Sequence, residues 1–79
     1  MDFRKRIVRR KSICGGAAVI KGTRVTVRTI LGSLAEGASV EDILKDFPTL
    51  KEADVRAVIA FAAASAEEDL PVLSLPGKP

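Results

Sequence analysis

From Val27 onward, apolar residues recur at the three- and four-residue spacing that places side chains on one face of an α-helix. Gly37 and Pro48 divide this pattern, because glycine often ends helices and the residue before a proline is pushed out of the helical region. The sequence therefore predicts three short helices, at about residues 27–36, 40–47 and 51–66. Their predicted apolar stripes are Val27, Ile30, Leu31 and Leu34, then Val40, Ile43, Leu44 and Phe47, then Val55, Val58, Ile59, Ala62 and Ala66. The predicted N-caps are Thr26, Ser39 and Thr49.

The residues before Val27 favour β-structure. Ile7-Val8 is one short apolar piece, and residues 17–20 form a second that ends in a turn at Lys21-Gly22-Thr23. We expect a hairpin-like β-arm at about residues 6–25. The predicted fold is therefore mainly α with a short N-terminal β-arm, a three-helix bundle with a helix-turn-helix-like layout. Residues 1–66 form the single predicted domain, and residues 67–79 form a proline-rich tail.

Residue types that serve catalysis, metal binding and cross-linking are scarce. The 79 residues include one cysteine and no histidine, so one chain lacks the ligands for a zinc site, the partner for a disulfide and the base of a Ser-His-Asp triad. We expect no enzyme activity, no catalytic residue, no metal, no cofactor, no small-molecule substrate, no membrane association and a cytoplasmic location. Because so small a core needs extra stabilisation and the chain is 47% apolar, we also expect a homodimer.

Charge is distributed very unevenly along the chain. Residues 1–28 carry nine Lys/Arg and one acidic residue, whereas residues 29–79 carry four Lys/Arg and nine acidic residues. The basic segment is either a solvated arm or a surface that binds a polyanion, most simply the phosphates of double-stranded DNA. On the second interpretation the DNA-binding residues are Lys5, Arg6, Arg9, Arg10, Lys11, Lys21, Arg24 and Arg28. Arg24 has a structural alternative, in which its guanidinium binds carbonyls where the arm meets the first helix.

The third predicted helix is poorly suited to reading DNA. Glu52 and Asp54 lie in its first turn and would repel phosphates, and alanines follow on the side opposite the predicted stripe. A helix that is apolar on nearly every side is buried on nearly every side. We therefore expect a dimer interface, to which unpaired strand edges of the arm also contribute. Its predicted residues are Ile7, Val8, Ala53, Ala57, Ala60, Phe61 and Ala64. The alternative is a larger core, in which the tail or the arm of the same chain covers this face.

The tail combines acidic residues with an apolar, proline-rich segment. Glu67, Glu68 and Asp69 precede the segment 70–76. We interpret it as an extended element that binds a partner protein through its apolar side chains, which are Leu70, Val72, Leu73 and Leu75. The alternative is that these side chains fold back onto the chain itself or onto a dimer mate.

Two stretches resemble a known family. Residues 13–27 contain Gly15-Gly16 and Gly22-Thr23-Arg24, and residues 34–50 contain Gly37-Ala38-Ser39-Val40-Glu41 and Phe47-Pro48-Thr49-Leu50. Together they resemble the bacterial domain-of-unknown-function family numbered four-three-three. The resemblance implies a homeodomain-like helical fold and an antitoxin-like role toward PIN-like ribonuclease toxins. We therefore expect an antitoxin that neutralises such a toxin and binds operator DNA. The alternative is a protein-interaction or dimerisation module without nucleic-acid binding.

Overall fold

Residues 2–67, which the computed structural model describes, form a two-stranded antiparallel hairpin followed by three α-helices. The strands are β1 (Ile7–Arg9) and β2 (Ala18–Ile20), and the helices are α1 (Val27–Ala35), α2 (Val40–Asp46) and α3 (Glu52–Ala66). Short 3₁₀ turns occupy Phe3–Lys5 and Cys14–Gly16. The mainly helical class with an N-terminal β-arm is therefore confirmed. None of the helices in the described part of the chain is long and apolar enough to cross a membrane.

The two apolar pieces of the arm pair with each other. Ile7 lies opposite Ile20 and Val8 lies opposite Val19. Val19 also bridges to Thr26, so β2 lies between β1 and the start of α1. The two pieces thus form the predicted hairpin, and within residues 2–67 no strand pairs with the outer edge of β1. Ile7 is buried in the chain's own core and is not available to a second copy.

The turn between β2 and α1 depends on Gly22 and Thr23. Gly22 has a φ of +82°, which residues with a side chain rarely adopt. The Thr23 hydroxyl donates to the carbonyl of Ile20 at 2.8 Å and accepts from the backbone N–H of Val25 at 3.0 Å. This side chain closes the turn from both directions and directs the chain into α1.

Gly37 ends α1 and leads directly into α2. At a φ of +97°, its N–H donates to the carbonyl of Leu34 at 3.0 Å, and the N–H of Ala38 donates to Ser33 at 3.0 Å. This pair of bonds satisfies carbonyls that the helix end would otherwise leave free. Ser39 then caps α2, where its hydroxyl accepts from the N–H of Asp42 at 3.1 Å.

A tight turn joins α2 to α3. The N–H of Leu50 donates to the carbonyl of Phe47 at 2.9 Å, and the Leu50 side chain is buried. Thr49 was the wrong N-cap for α3. Lys51 occupies that position, and its N–H donates to a carboxylate oxygen of Asp54 at 2.8 Å. The helix is thus capped from within its own first turn.

The core lies between the three helices and β2. Ile30, Ile43, Val55 and Val58 are almost completely buried. The face of α3 that points to this core differs from the predicted stripe, since Ala57 is fully buried whereas 47% of the Ile59 surface is exposed. The predicted position of Ile59 in the core was therefore wrong.

The N-terminal segment explains this orientation of α3. The Phe3 ring contacts the Phe61 ring edge-on, with centroids 5.4 Å apart. This N-terminal segment, which precedes the β-arm, thereby covers part of the face that was predicted to bind a second copy. The prediction of Ala57 as a dimer-interface residue was wrong, because this side chain is enclosed within one chain.

Candidate nucleic-acid interface

Eight basic side chains of the first 28 residues are exposed, and one of them, Arg4, is paired with Asp2. The other seven are Lys5, Arg9, Arg10, Lys11, Lys21, Arg24 and Arg28. None of them forms an ion pair with a carboxylate among residues 2–67. They extend over the arm, the turn before α1 and the first turn of α1. The segment therefore presents positive charge that no described acidic group neutralises.

Strand pairing brings separate parts of this basic segment together. The N–H of Lys21 donates to the carbonyl of Arg6 at 2.7 Å, which places the turn after β2 beside the start of β1. Arg9 of β1 and Arg28 of α1 line a common groove of about 280 Å³, whose apolar lining includes Leu31 and Phe61. Arg9 also donates a long hydrogen bond of 3.4 Å to the carbonyl of Gly16. The fold thus collects cations that lie far apart in sequence.

Arg6 differs from the other basic residues of the arm. Its guanidinium donates to Asp54 Oδ1 at 2.9 Å, and only 11% of the Asp54 side-chain surface is exposed. The second oxygen of this carboxylate accepts from the Lys51 N–H, so both oxygens have partners. Arg6 therefore fastens the arm to the start of α3. Its predicted role as a DNA contact stays a prediction, whereas the ion pair gives it a structural role, because releasing it would leave a buried carboxylate without its counter-charge.

Arg24 follows the closed turn and has an exposed side chain. Its backbone carbonyl accepts from the Cys14 thiol at 3.4 Å, but its guanidinium donates no hydrogen bond within the described residues. The structural alternative for Arg24 is therefore not observed. The side chain lines an open groove of about 710 Å³ together with Thr26, Thr29 and Thr49.

The other ion pairs occur on exposed surface. Arg4 donates to the Asp2 carboxylate at 3.1 Å, and this bond holds the pKa of the carboxyl below its ordinary value. Arg56 lies 3.6 Å from Glu52 on the outer side of α3. Because Arg56, the single cation of α3, is already beside a carboxylate, α3 offers little to a phosphate backbone.

The remaining predicted interface residues have varied environments. Val8, Ala53, Ala60, Phe61 and Ala64 are all partly buried within the chain. The predicted toxin-binding residues Leu70, Val72, Leu73 and Leu75 lie outside the described residues.

A family model now adds to the sequence resemblance. The model described as "Protein of unknown function (DUF433)" matches residues 7–62, from the first strand into the third helix. The chain belongs to the DUF433 family. The match includes the arm, the Gly22-Thr23-Arg24 turn and the Phe47-Pro48-Thr49-Leu50 turn.

The chain is similar to two further proteins. An uncharacterized protein from Sinorhizobium fredii, y4eO, is 40% identical over 53 residues, which is 67% of this chain but 24% of that protein. A crystal structure of a DUF433 member protein from Anabaena variabilis superposes with a TM-score of 0.73 at 28% identity, covering 80% of this chain and 62% of that one. The DUF433 chain thus spans about a quarter of the length of its curated relative.

Sequence reasoning missed two residues of this DUF433 chain. Asp54 was read as an exposed acidic residue, although its position three residues after Lys51 is the one from which a carboxylate can bond back to an N-cap. Ile59 was assigned to the core by spacing alone. Nothing local in the sequence identifies Arg6 as the partner of Asp54, because 48 positions separate them.

Proposed function

We propose that this DUF433 chain is a small DNA-binding protein of the antitoxin type, whose β-arm and first helical turn contact the phosphates of double-stranded DNA. The observation that carries the proposal is the set of seven exposed basic side chains without an acidic partner among residues 2–67. Duplex DNA carries a dense row of negative charges, and a protein that neutralises them releases condensed counterions. The open cations of the arm fit this form of recognition.

In this proposal the helices keep the order of a homeodomain-like helix-turn-helix unit, but α3 is not the reading helix. Its first turn presents Glu52, and its outer side presents Ile59 and alanines in place of groups that read base edges. The arm supplies phosphate contacts, which position a protein on the duplex. We therefore expect binding with weak dependence on sequence.

The test compares two triple variants that remove the same charge. Arg9→Ala, Arg10→Ala and Lys11→Ala together should weaken binding to a short duplex by more than roughly tenfold, measured by fluorescence anisotropy at about 50 mM salt. The control is Lys45→Ala, Lys51→Ala and Arg56→Ala, which removes three cations from α2, the N-cap of α3 and α3. This variant should bind nearly as tightly as the wild type. Equal losses in the two variants would contradict a specific role of the arm.

We propose a PIN-like ribonuclease toxin as the protein partner. The support is the family resemblance over residues 13–27 and 34–50, together with the apolar side chains at 70, 72, 73 and 75. The test is growth of cells that express a PIN-like ribonuclease toxin together with the full chain. Leu73→Asp in the full chain should abolish rescue, whereas the control Ser74→Asp should retain it. Full rescue by the Leu73 variant would contradict this role of the tail.

The second candidate function is a protein-interaction or dimerisation module that does not bind nucleic acid. The observation that favours it is the exposed Ile59 on the outer side of α3. Such a module would give no change in anisotropy with duplex DNA at low or at physiological salt, so the same titration distinguishes the two functions.

A further inference from the structure

The groove of about 280 Å³ where β1, α1 and α3 meet combines apolar surface with positive charge. Its apolar lining includes Leu31 and Phe61, and both side chains are half-buried. Arg9 of β1 and Arg28 of α1 border the groove, and neither has a carboxylate partner among residues 2–67. The groove therefore suits a segment that carries acidic and apolar residues side by side.

The end of α3 brings such a segment close to the groove. Phe61 lies five residues before Ala66, the last residue of α3, which corresponds to about 7.5 Å along the helix axis. Glu67 follows directly, and a chain that reverses there covers about 10 Å in three extended residues. Leu70 is therefore within reach of Phe61 without any intervening linker.

The sequence after α3 complements the groove in charge and in apolar character. Glu67 is exposed and has no ion pair among residues 2–67. It is the first of three consecutive carboxylates, and four apolar side chains follow them at Leu70, Val72, Leu73 and Leu75. Single ion pairs on exposed surface are weak. A tethered segment needs little affinity, because its effective concentration at a nearby groove is of the order of millimolar.

We infer that, in the absence of a protein partner, residues 67–70 fold back onto the groove between β1, α1 and α3 of their own chain. The carboxylates face Arg9 and Arg28, and Leu70 packs against Phe61. The same two arginines belong to the set proposed to bind DNA phosphates. The docked segment therefore competes with DNA for these cations and lowers the DNA affinity of the arm, a regulation that rests on the proposed function.

Tryptophan fluorescence tests the contact without DNA, because the chain contains neither tryptophan nor tyrosine. Leu70→Trp in the full chain places a single reporter in the segment. In this background, Arg9→Glu together with Arg28→Glu should raise the acrylamide quenching constant about twofold or more, because the segment is released. The matched control is Lys11→Glu with Lys21→Glu, which makes the same charge change on cations that do not line the groove. Quenching in this control should stay nearly unchanged.

Neutralising the acidic residues tests the same contact from the other side. Glu67→Gln, Glu68→Gln and Asp69→Asn together should expose the tryptophan reporter as the arginine changes do. Circular dichroism should show every variant as helical as its parent. The inference is overturned if neither set of changes raises quenching, or if the lysine control raises it equally. It is also overturned if quenching depends on protein concentration, since the segment then binds a second copy.

Anisotropy titrations with duplex DNA test the regulation in the chain with its native Leu70. The three neutralised acidic residues of the segment should increase DNA affinity about threefold more than a control that removes the same charge elsewhere. The control is Glu36→Gln, Glu41→Gln and Asp46→Asn. If no variant binds DNA while the reporter responds as expected, the proposed function fails and the contact is confirmed. Equal gains in affinity for the two sets would overturn the regulation.

Discussion

The contact between Arg6 and Asp54 shows that the role of a residue in a run of cations can depend on a partner far away in the sequence. In the sequence Arg6 belongs to a run of cations, and nothing distinguishes it from Arg9 or Arg10. In the structure it binds a buried carboxylate on another element. Composition could therefore predict a basic arm, but it could not predict which of its cations is already paired, because pairing depends on tertiary packing.

Arg6→Ala should destabilise the protein by about 1–2 kcal/mol, since it removes a charge-assisted hydrogen bond from a buried carboxylate while Arg6 itself is partly exposed. In a domain of this size 1 kcal/mol corresponds to roughly 4–8 °C in Tm. Lys5→Ala, on the exposed neighbouring residue, is the control and should change stability by less than about 0.5 kcal/mol. Thermal unfolding by circular dichroism measures both. Equal Tm values for Arg6→Ala and wild type would show that the ion pair does not stabilise the fold.

At the scale of single elements, the bounds of all three helices could be predicted, but the buried face of α3 could not. The first two carry distinct apolar stripes and caps, so their ends lie within about a residue of the expected positions. In α3 alanines occur on several sides, and spacing alone could not determine which side faces the core. Contacts between α3 and the N-terminal part of the chain determine which side of α3 faces the core. The spacing of apolar residues within α3 does not predict these contacts.

Two glycines of the α1 region should respond oppositely to the same substitution. Gly37→Ala should destabilise the protein by about 1 kcal/mol, because alanine is strained at the φ of +97° that ends the helix. Gly32 lies within α1, and no atom lies within 4 Å of the position that a β-carbon would occupy. Gly32→Ala should therefore stabilise the protein by about 0.5–1 kcal/mol. Urea denaturation measures both free energies of unfolding. Similar effects of the two substitutions would contradict the assigned end of α1.

The cap of α2 should make stability depend on pH. The Ser39 backbone N–H and hydroxyl bind the Asp42 carboxylate and hold its pKa below the ordinary value of 3.8. A lowered folded-state pKa stabilises the fold above the unfolded-state pKa, and this contribution disappears as the pH falls through the folded-state value. The stability difference between wild type and Asp42→Asn should therefore shrink below about pH 4. Denaturation at several pH values measures it.

Glu41→Gln is the control for this titration, because it removes a carboxylate from α2 but leaves the Ser39–Asp42 bonds in place. It should retain the acid-induced loss of the wild type. A stability difference between wild type and Asp42→Asn that stays constant down to acidic pH would contradict the assigned role of the carboxylate.

In the whole molecule, the basic and acidic residues that are separated along the sequence are also separated in space. The open cations lie on the arm and the start of α1, whereas Glu36, Glu41 and Asp46 lie on and between α1 and α2. The basic segment and the β-arm could be predicted from composition and motifs. The position of the apolar outer face of α3 relative to the basic arm could not be predicted, because it depends on how the arm packs against α3.

The salt dependence of DNA binding by the wild-type chain tests the proposed function most directly. Each phosphate that the arm neutralises should contribute about 0.9 to the slope of log K against log salt concentration. If at least four of the seven open cations bind phosphates, the slope should be about −3.6 or steeper between about 50 and 200 mM salt. Anisotropy titrations of one duplex across this range give the value. A slope near zero, or no binding at the lowest salt, would contradict a DNA-binding role for the arm.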